Sequence, residues 1–147
     1  MKIREVMSSN PVCCLPTDSA QQVARIMCER DIGSVPVVMD QDSRKLVGVI
    51  TDRDLCCSVV ADGLDPKTAS IEKFMTLNPV TCREEEDVEN CERLMQEHQI
   101  RRVPIVNAED GVVGIVAQAD LALKDKSERV SKTIAEISKP AEPSVAA

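Results

Sequence analysis

"GVITDRDL", from Gly48 to Leu55, returns sixty-six residues later as "GIVAQADL", from Gly114 to Leu121. In both copies a glycine opens a short apolar, β-branched run, and an aspartate-leucine pair follows a few residues on. The switch from strand-like to helical character predicts a strand leading directly into a helix. At the junction the copies part: Thr51 stands in the first where Ala117 stands in the second.

The repeat reaches well beyond this phrase. At an offset of 68, Met7 pairs with Met75, Asn10-Pro11-Val12 with Asn78-Pro79-Val80, Cys14 with Cys82 and Val35-Pro36 with Val103-Pro104. The offset then falls to 66, so the turn "MDQDSRK" is two residues longer than its counterpart, an insertion that turns tolerate. Two homologous units therefore fill the chain. Their expected bounds are 1–60 and 71–138, the second including a C-terminal helix, with a linker over 61–70 and a flexible tail over 139–147.

Each unit has the same coarse grammar. Ala20, Val23, Ile26 and Met27 recur at helical spacing, and Val88, Cys91, Leu94 and Met95 match them. Asp18 or Ser19 can start the first helix, and Glu84, Glu85, Glu86 and Asp87 collect where the second begins, favouring the positive end of its dipole. Cys28 and Cys91 fall near core positions of these helices. "SVPVVM" with "KLVGVI", and "RVPIVN" with "GVVGIV", read as strand pairs, with Pro36 and Pro104 expected at a strand start or an unpaired edge. "TDRDLCCSVV" reads as a further helix, and Val130, Ile134 and Ile137 predict a docked one near the end.

Composition narrows the classes of function. The 147 residues are 43% hydrophobic and 29% charged, with no apolar run near the roughly 20 residues that cross a bilayer. No secretory signal follows Lys2 and Arg4, so a cytoplasmic location is expected. A net charge of −7 and a single aromatic residue, Phe74, oppose nucleic-acid binding. Seven cysteines with no C-x-x-C predict reduced thiols rather than a disulfide framework. His98, the only histidine, reads as a surface residue, which leaves neither a Cys-His couple nor a multi-histidine metal site and argues against an enzyme.

The ordered set "VMSSNPV" and "FMTLNPV", "IGSVPVV" and "IRRVPIV", and "GVITDRD" resembles a tandem pair of CBS domains (a Bateman module) over residues 1 to 138. A looser similarity is to small bacterial hypoxia- or stress-associated CBS pairs. The resemblance implies an α/β (α+β) fold of two β-α-β-β-α units packed about a pseudo-twofold axis. It implies an adenosine-containing effector, such as AMP, ADP, ATP, S-adenosylmethionine or an NAD-type dinucleotide, in the cleft between units. One site would combine Thr51, Asp54, Cys13, Cys14 and Ile32 with Thr76. The other would combine Asp120, Arg101, Arg102, Val80 and Thr81 with Ser8. No cofactor or metal is required, and a homodimer joined through the helices after Asp54 and Asp120 is expected, acting on a further protein.

The chemistry of the motif can be stated without the resemblance. An aspartate can accept both ribose hydroxyls, and a threonine hydroxyl three residues earlier can donate to a phosphate at a helix start. Thr51-x-x-Asp54 is equally a capping box. Ala117 gives up the cap while Asp120 remains, and Arg101 or Arg102 can supply a charge-assisted phosphate contact or merely offset the acidic surface. The adjacent pairs Cys13-Cys14 and Cys56-Cys57 leave a redox or metal sensor open, and a ligand-independent scaffold is the remaining class.

Overall fold

The computed structural model describes residues 1–125 and 127–140, so most of the tail expected over 139–147 lies outside the described residues. In chain order the elements are α1 (Ile3–Val6), β1 (Ser8–Ser9), α2 (Ala20–Arg30), β2 (Ser34–Val38), β3 (Leu46–Thr51) and α3 (Asp52–Leu55). A π-helical turn over Cys56–Val60 and a 3-10 turn over Ile71–Lys73 precede β4 (Thr76–Leu77) and β5 (Cys82–Arg83). The chain continues through α4 (Val88–His98), β6 (Arg102–Val106), β7 (Val112–Ala117), α5 (Gln118–Lys124) and α6 (Glu128–Ile137). Helices and two sheets give the expected mixed α+β class, with strand orders β2-β3-β4 and β1-β7-β6-β5.

Two compact units result, and each borrows its opening segment from the other repeat. The N-repeat unit comprises Asn10–Pro79 with Val106–Val113. The C-repeat unit comprises Met1–Ser9, Val80–Ile105 and the described residues from Gly114 onward. The partition by contact is therefore not the partition by sequence repeat. The leading strand β1 pairs with β7, placing Ser8 against Ile115, while β4 pairs with β3, placing Thr76 against Val49.

In the N-repeat unit, Ser19 caps α2 in a reciprocal box: its hydroxyl accepts the Gln22 N–H at 3.2 Å, and its own N–H donates to Gln22 Oε1 at 2.8 Å. Ala20, Val23 and Met27 turn inward onto Cys14, Val35, Val37, Ile50 and Ile71. Each fully buried Val or Ile here contributes about 1.5–3 kcal/mol relative to exposure. Ile26 is only half-buried. Cys28 is exposed, a correction to its expected core placement. Five residues beyond Val23, it stands about 140° around the helix from that buried position.

Pro36 lies inside β2 rather than at its start, although β2 is the edge strand of its sheet. Its carbonyl accepts the Cys14 N–H at 3.0 Å, and the Val38 N–H donates to Cys14 O at 2.9 Å. A residue's N and C=O share one side of a strand, so the missing Pro36 N–H faces away from β3 and costs no ladder bond. The helix expected over "TDRDLCCSVV" forms, but it widens after Leu55 into the π-helical turn, closed by Ala61 N–H to Cys56 O at 3.0 Å.

In the C-repeat unit, α1 packs on α4 and α5, and α6 packs on the same two helices. The acidic run serves as an anchor for the start of the chain: Lys2 pairs with Asp87 at 2.8 Å and Arg4 with Glu85 at 2.6 Å. The expected C-terminal helix is α6, which buries Val130, Thr133 and Ile137 and leaves Ile134 partly exposed. Arg129 holds it, reaching Glu89 at 3.1 Å, Glu92 at 3.4 Å and Asp125 at 3.6 Å. Burial pushes the Glu92 carboxyl above the ordinary glutamate value, against the pull of Arg129 and with the support of Asp125 and Glu89.

The repeat is also written in the backbone. Asn10 and Asn78 have φ of 52° and 48°, Asp31 and Gln99 have 53° and 52°, and Arg44 and Asp110 have 54° and 62°. These left-handed positions fall at the offsets of 68, 68 and 66 read from sequence. Asparagine and aspartate tolerate this region better than most residues, which explains the Asn of each Asn-Pro. Asp31 and Gln99 close α2 and α4 as left-handed caps.

Candidate functional site

The six residues expected at the first site, Cys13, Cys14, Ile32, Thr51, Asp54 and Thr76, all belong to the N-repeat unit. The six of the second, Ser8, Val80, Thr81, Arg101, Arg102 and Asp120, all belong to the C-repeat unit. In each set the motif aspartate, Asp54 or Asp120, lies at a strand-to-helix junction.

At the first junction, β3 ends on Thr51 and α3 starts at once. The Asp54 N–H donates to Thr51 Oγ1 at 3.1 Å, and the Thr51 N–H donates to Asp54 Oδ2 at 2.9 Å. The capping box is therefore formed. It uses a lone pair of the Thr51 hydroxyl and leaves that hydroxyl's proton free to donate. It uses one oxygen of Asp54, and no hydrogen bond reaches Oδ1 from the described residues. Both groups are half-buried. Capping and ligand binding are thus compatible uses of the same pair.

The Ile32 turn is tied to this start by the Asp52 N–H, which donates to Gly33 O at 3.0 Å, and Ile32 itself is exposed. Thr76 is exposed on β4. The glycine of the motif makes this approach feasible: a Cβ on Gly48 would stand 2.7 Å from Thr76 O and 3.0 Å from Met75 Sδ. The cysteines turn inward. Cys14 is fully buried in the core with both backbone polar groups bonded, and burial pushes its thiol up to about 12. Cys13 packs with Val38 and Val112. Burial raises its thiol too, against the opposing pull of Arg44, whose Nη2 lies 3.0 Å from the sulfur.

Arg44 was not visible as a site-shaping residue in the sequence. Standing in the long turn, it donates to Asn10 Oδ1 and Pro11 O as well as to Cys13, and so gathers the segment that opens the unit. Nothing in a charged turn sequence announces such a reach.

At the second junction the backbone is the same and the side chains differ. The Gln118 N–H donates to Arg101 O at 2.9 Å, the counterpart of the Asp52–Gly33 bond. Ala117 has no hydroxyl to cap the Asp120 N–H, but its own N–H donates to Asp120 Oδ2 at 2.8 Å. Asp120 Oδ1 accepts the Ser8 hydroxyl at 3.1 Å and lies 3.8 Å from Lys124 Nζ. Lys124, four residues after Asp120, could have been found from that spacing alone. The Arg101 and Arg102 side chains are exposed, and Val80 and Thr81 are half-buried. His98 is exposed at the end of α4, where a cation suits the dipole.

All seven cysteines are free thiols. Cys82 and Cys91 are buried side by side; the bond to Cys82 and burial together push the Cys91 thiol up. Cys56 and Cys57 are exposed on the π-helical turn. Among the described residues no three His, Cys, Asp or Glu side chains gather as metal ligands, and no helix is long and apolar enough to cross a membrane.

A CBS-domain family model matches residues 3–60 and 71–126, one match per repeat. The chain belongs to the CBS-domain family. Among its relatives, the uncharacterized protein YlbB of Bacillus subtilis is 34% identical over 138 residues, 93% of this chain and 91% of that protein. Hypoxic response protein 1 of Mycobacterium tuberculosis is 34% identical over 119 residues, 81% of each chain. Two solved structures share the fold at a TM-score of 0.74. One is Hypoxic Response Protein I with two coordinated zinc ions, at 32% identity over 84% of this chain and 98% of that one. The other is the CBS domain pair of protein MJ0100 in complex with 5′-methylthioadenosine and S-adenosyl-L-methionine, at 30% identity over the same shares.

Proposed function

We propose that this CBS pair is a non-catalytic regulatory module whose effector carries an adenosine group, held by its ribose on Asp54 and, in the second copy, on Asp120. The observation that carries this reading is the state of Asp54: one carboxylate oxygen is bonded to the Thr51 N–H and the other is open. An ionised carboxylate has about four acceptor sites, so a vicinal diol can be received without breaking the cap. The free Thr51 hydroxyl proton suits a phosphate or another acceptor on the same ligand. The similar MJ0100 pair binds two adenosine compounds, which supports the ligand class.

A cytoplasmic homodimer acting on a further protein completes the proposal. Val60 and Leu64 after Asp54, and Leu123 after Asp120, are exposed apolar residues on or just beyond the helices expected to join two copies. Occupancy regulates by favouring one conformational or assembly state over another.

A second reading, a metal or thiol sensor, draws on the zinc held by the similar Hypoxic Response Protein I and on exposed Cys28, Cys56 and Cys57. Native mass spectrometry of freshly purified protein separates the two. Retained adenosine compound, lost in Asp54→Ala, supports the first reading. Retained zinc, with no nucleotide bound at any added concentration, supports the second. A strictly monomeric mass across micromolar concentrations removes the homodimer.

A further inference from the structure

The two aspartates are not equally available. Asp54 has an open oxygen, whereas both oxygens of Asp120 are engaged, one by the Ala117 N–H and one by the Ser8 hydroxyl, with Lys124 alongside. The Ser8 position is held from several directions. Strand pairing sets Ser8 opposite Ile115. Gly114 permits the close approach, since a Cβ there would stand 2.5 Å from Met7 Sδ and 3.1 Å from Ser8 O. Lys124 Nζ donates to Val6 O at 3.0 Å and lies 3.5 Å from Met7 O, fixing the residues that lead into Ser8.

The first copy lacks this arrangement. Thr76 occupies the register position of Ser8, yet its hydroxyl makes no hydrogen bond to Asp54, and Ser58 stands where the second copy has Lys124.

We propose that the Ser8 hydroxyl is a built-in competitor for the ligand's ribose on Asp120, so that the second site is self-occupied and the two sites fill in order, Asp54 first. This rests on the ribose reading given above. A diol arriving at Asp54 adds hydrogen bonds to an open acceptor. A diol arriving at Asp120 meets a hydroxyl already bonded to the oxygen that stands open on Asp54, must compete with it for that charged acceptor, and gains correspondingly less. Two concentration thresholds follow, and filling the second frees Ser8 from Asp120 at the start of β1.

Titration calorimetry with AMP tests this on the parent, Asp54→Ala, Ser8→Ala and Ser8→Thr proteins. The parent shows two events of unequal affinity, and Asp54→Ala removes the tighter one. Ser8→Ala tightens the weaker event by roughly tenfold, the scale of one hydrogen bond to a charged group, and Ser8→Thr, which restores the hydroxyl, returns it to weak binding. Should Ser8→Ala unfold, Ser8→Val offers the same loss of hydroxyl on a residue suited to a strand. A weaker event left unchanged or weakened further by Ser8→Ala, while the Asp54-dependent event persists, overturns the competitor and leaves the ribose reading standing. Absence of any binding in both parent and Ser8→Ala overturns both.

Discussion

The junctions at Thr51–Asp54 and Ala117–Asp120 follow one backbone course: a strand ends, a helix begins, and the N–H of the first helical residue is taken by the turn before β2 or β6. They differ in what meets the carboxylate. In the first, threonine and aspartate cap each other and leave an oxygen open. In the second, the cap is halved, and the aspartate is completed by a serine 112 residues away. A duplicated motif therefore conserves backbone geometry while its acceptors diverge, and equivalence in sequence is not equivalence in chemistry.

The largest expected effect separates the copies through binding. Asp54→Ala should lower AMP affinity by tenfold or more, since each hydrogen bond to a charged group contributes about 1.5–3 kcal/mol, while lowering the thermal unfolding transition by only a few degrees, through loss of the acceptor for the Thr51 N–H. Equal affinity in calorimetry would reduce Asp54 to a capping residue.

Next come the motif glycines. Gly48→Ala should destabilise by about 1–3 kcal/mol through overpacking, because its Cβ meets the backbone oxygen of Thr76 at 2.7 Å. Gly114→Ala should cost less, because its nearest obstacle is the flexible end of Met7. Urea unfolding of both variants checks the order, and equal or reversed costs break it.

The caps are a smaller difference. Thr51→Ala should cost about 1 kcal/mol and Ala117→Thr gain at most about 1 kcal/mol. A Thr51 phosphate contact adds a second signature: the ratio of AMP to adenosine affinity falls in Thr51→Ala. An unchanged ratio assigns Thr51 to the cap and shifts the phosphate to Arg101 or Arg102.

The smallest effect belongs to the C-repeat unit alone. Because burial raises the Glu92 carboxyl in the folded state, its contribution is fully present below the ordinary glutamate value of 4.5 and is lost as pH rises through the raised value. The groups facing it are Arg129 from α6, Asp125 from the turn before α6, and Glu89 from its own helix. Glu92→Gln should lack this decline in Tm between acidic and neutral pH. Parallel Tm curves would remove the assignment.

Much of this was legible because the repeat compares the chain with itself. Offsets of 68 and 66 located the strand pairs, the helices and the insertion, and they also locate the left-handed residues. Local chemistry supplied the Ser19 cap and the Thr51 box. What periodicity misses is set by distant partners or by rotation about a helix. Cys28 points outward, Arg44 reaches back to Asn10, and Ser8 completes Asp120 across most of the chain. The widening into a π-helical turn after Leu55 has no signature in "CCSVV".

The exchange of opening segments between repeats has a consequence in time. A ribosome releases β1 well before its partner β7, which emerges roughly a hundred residues later, about 5–20 s at ordinary rates of synthesis. Ile3 and Val6, both fully buried in the finished protein, are covered only once α4 and then α5 have been made. Residues made early are thus placed late, and the Ser8–Asp120 bond can form only once α5 has been made.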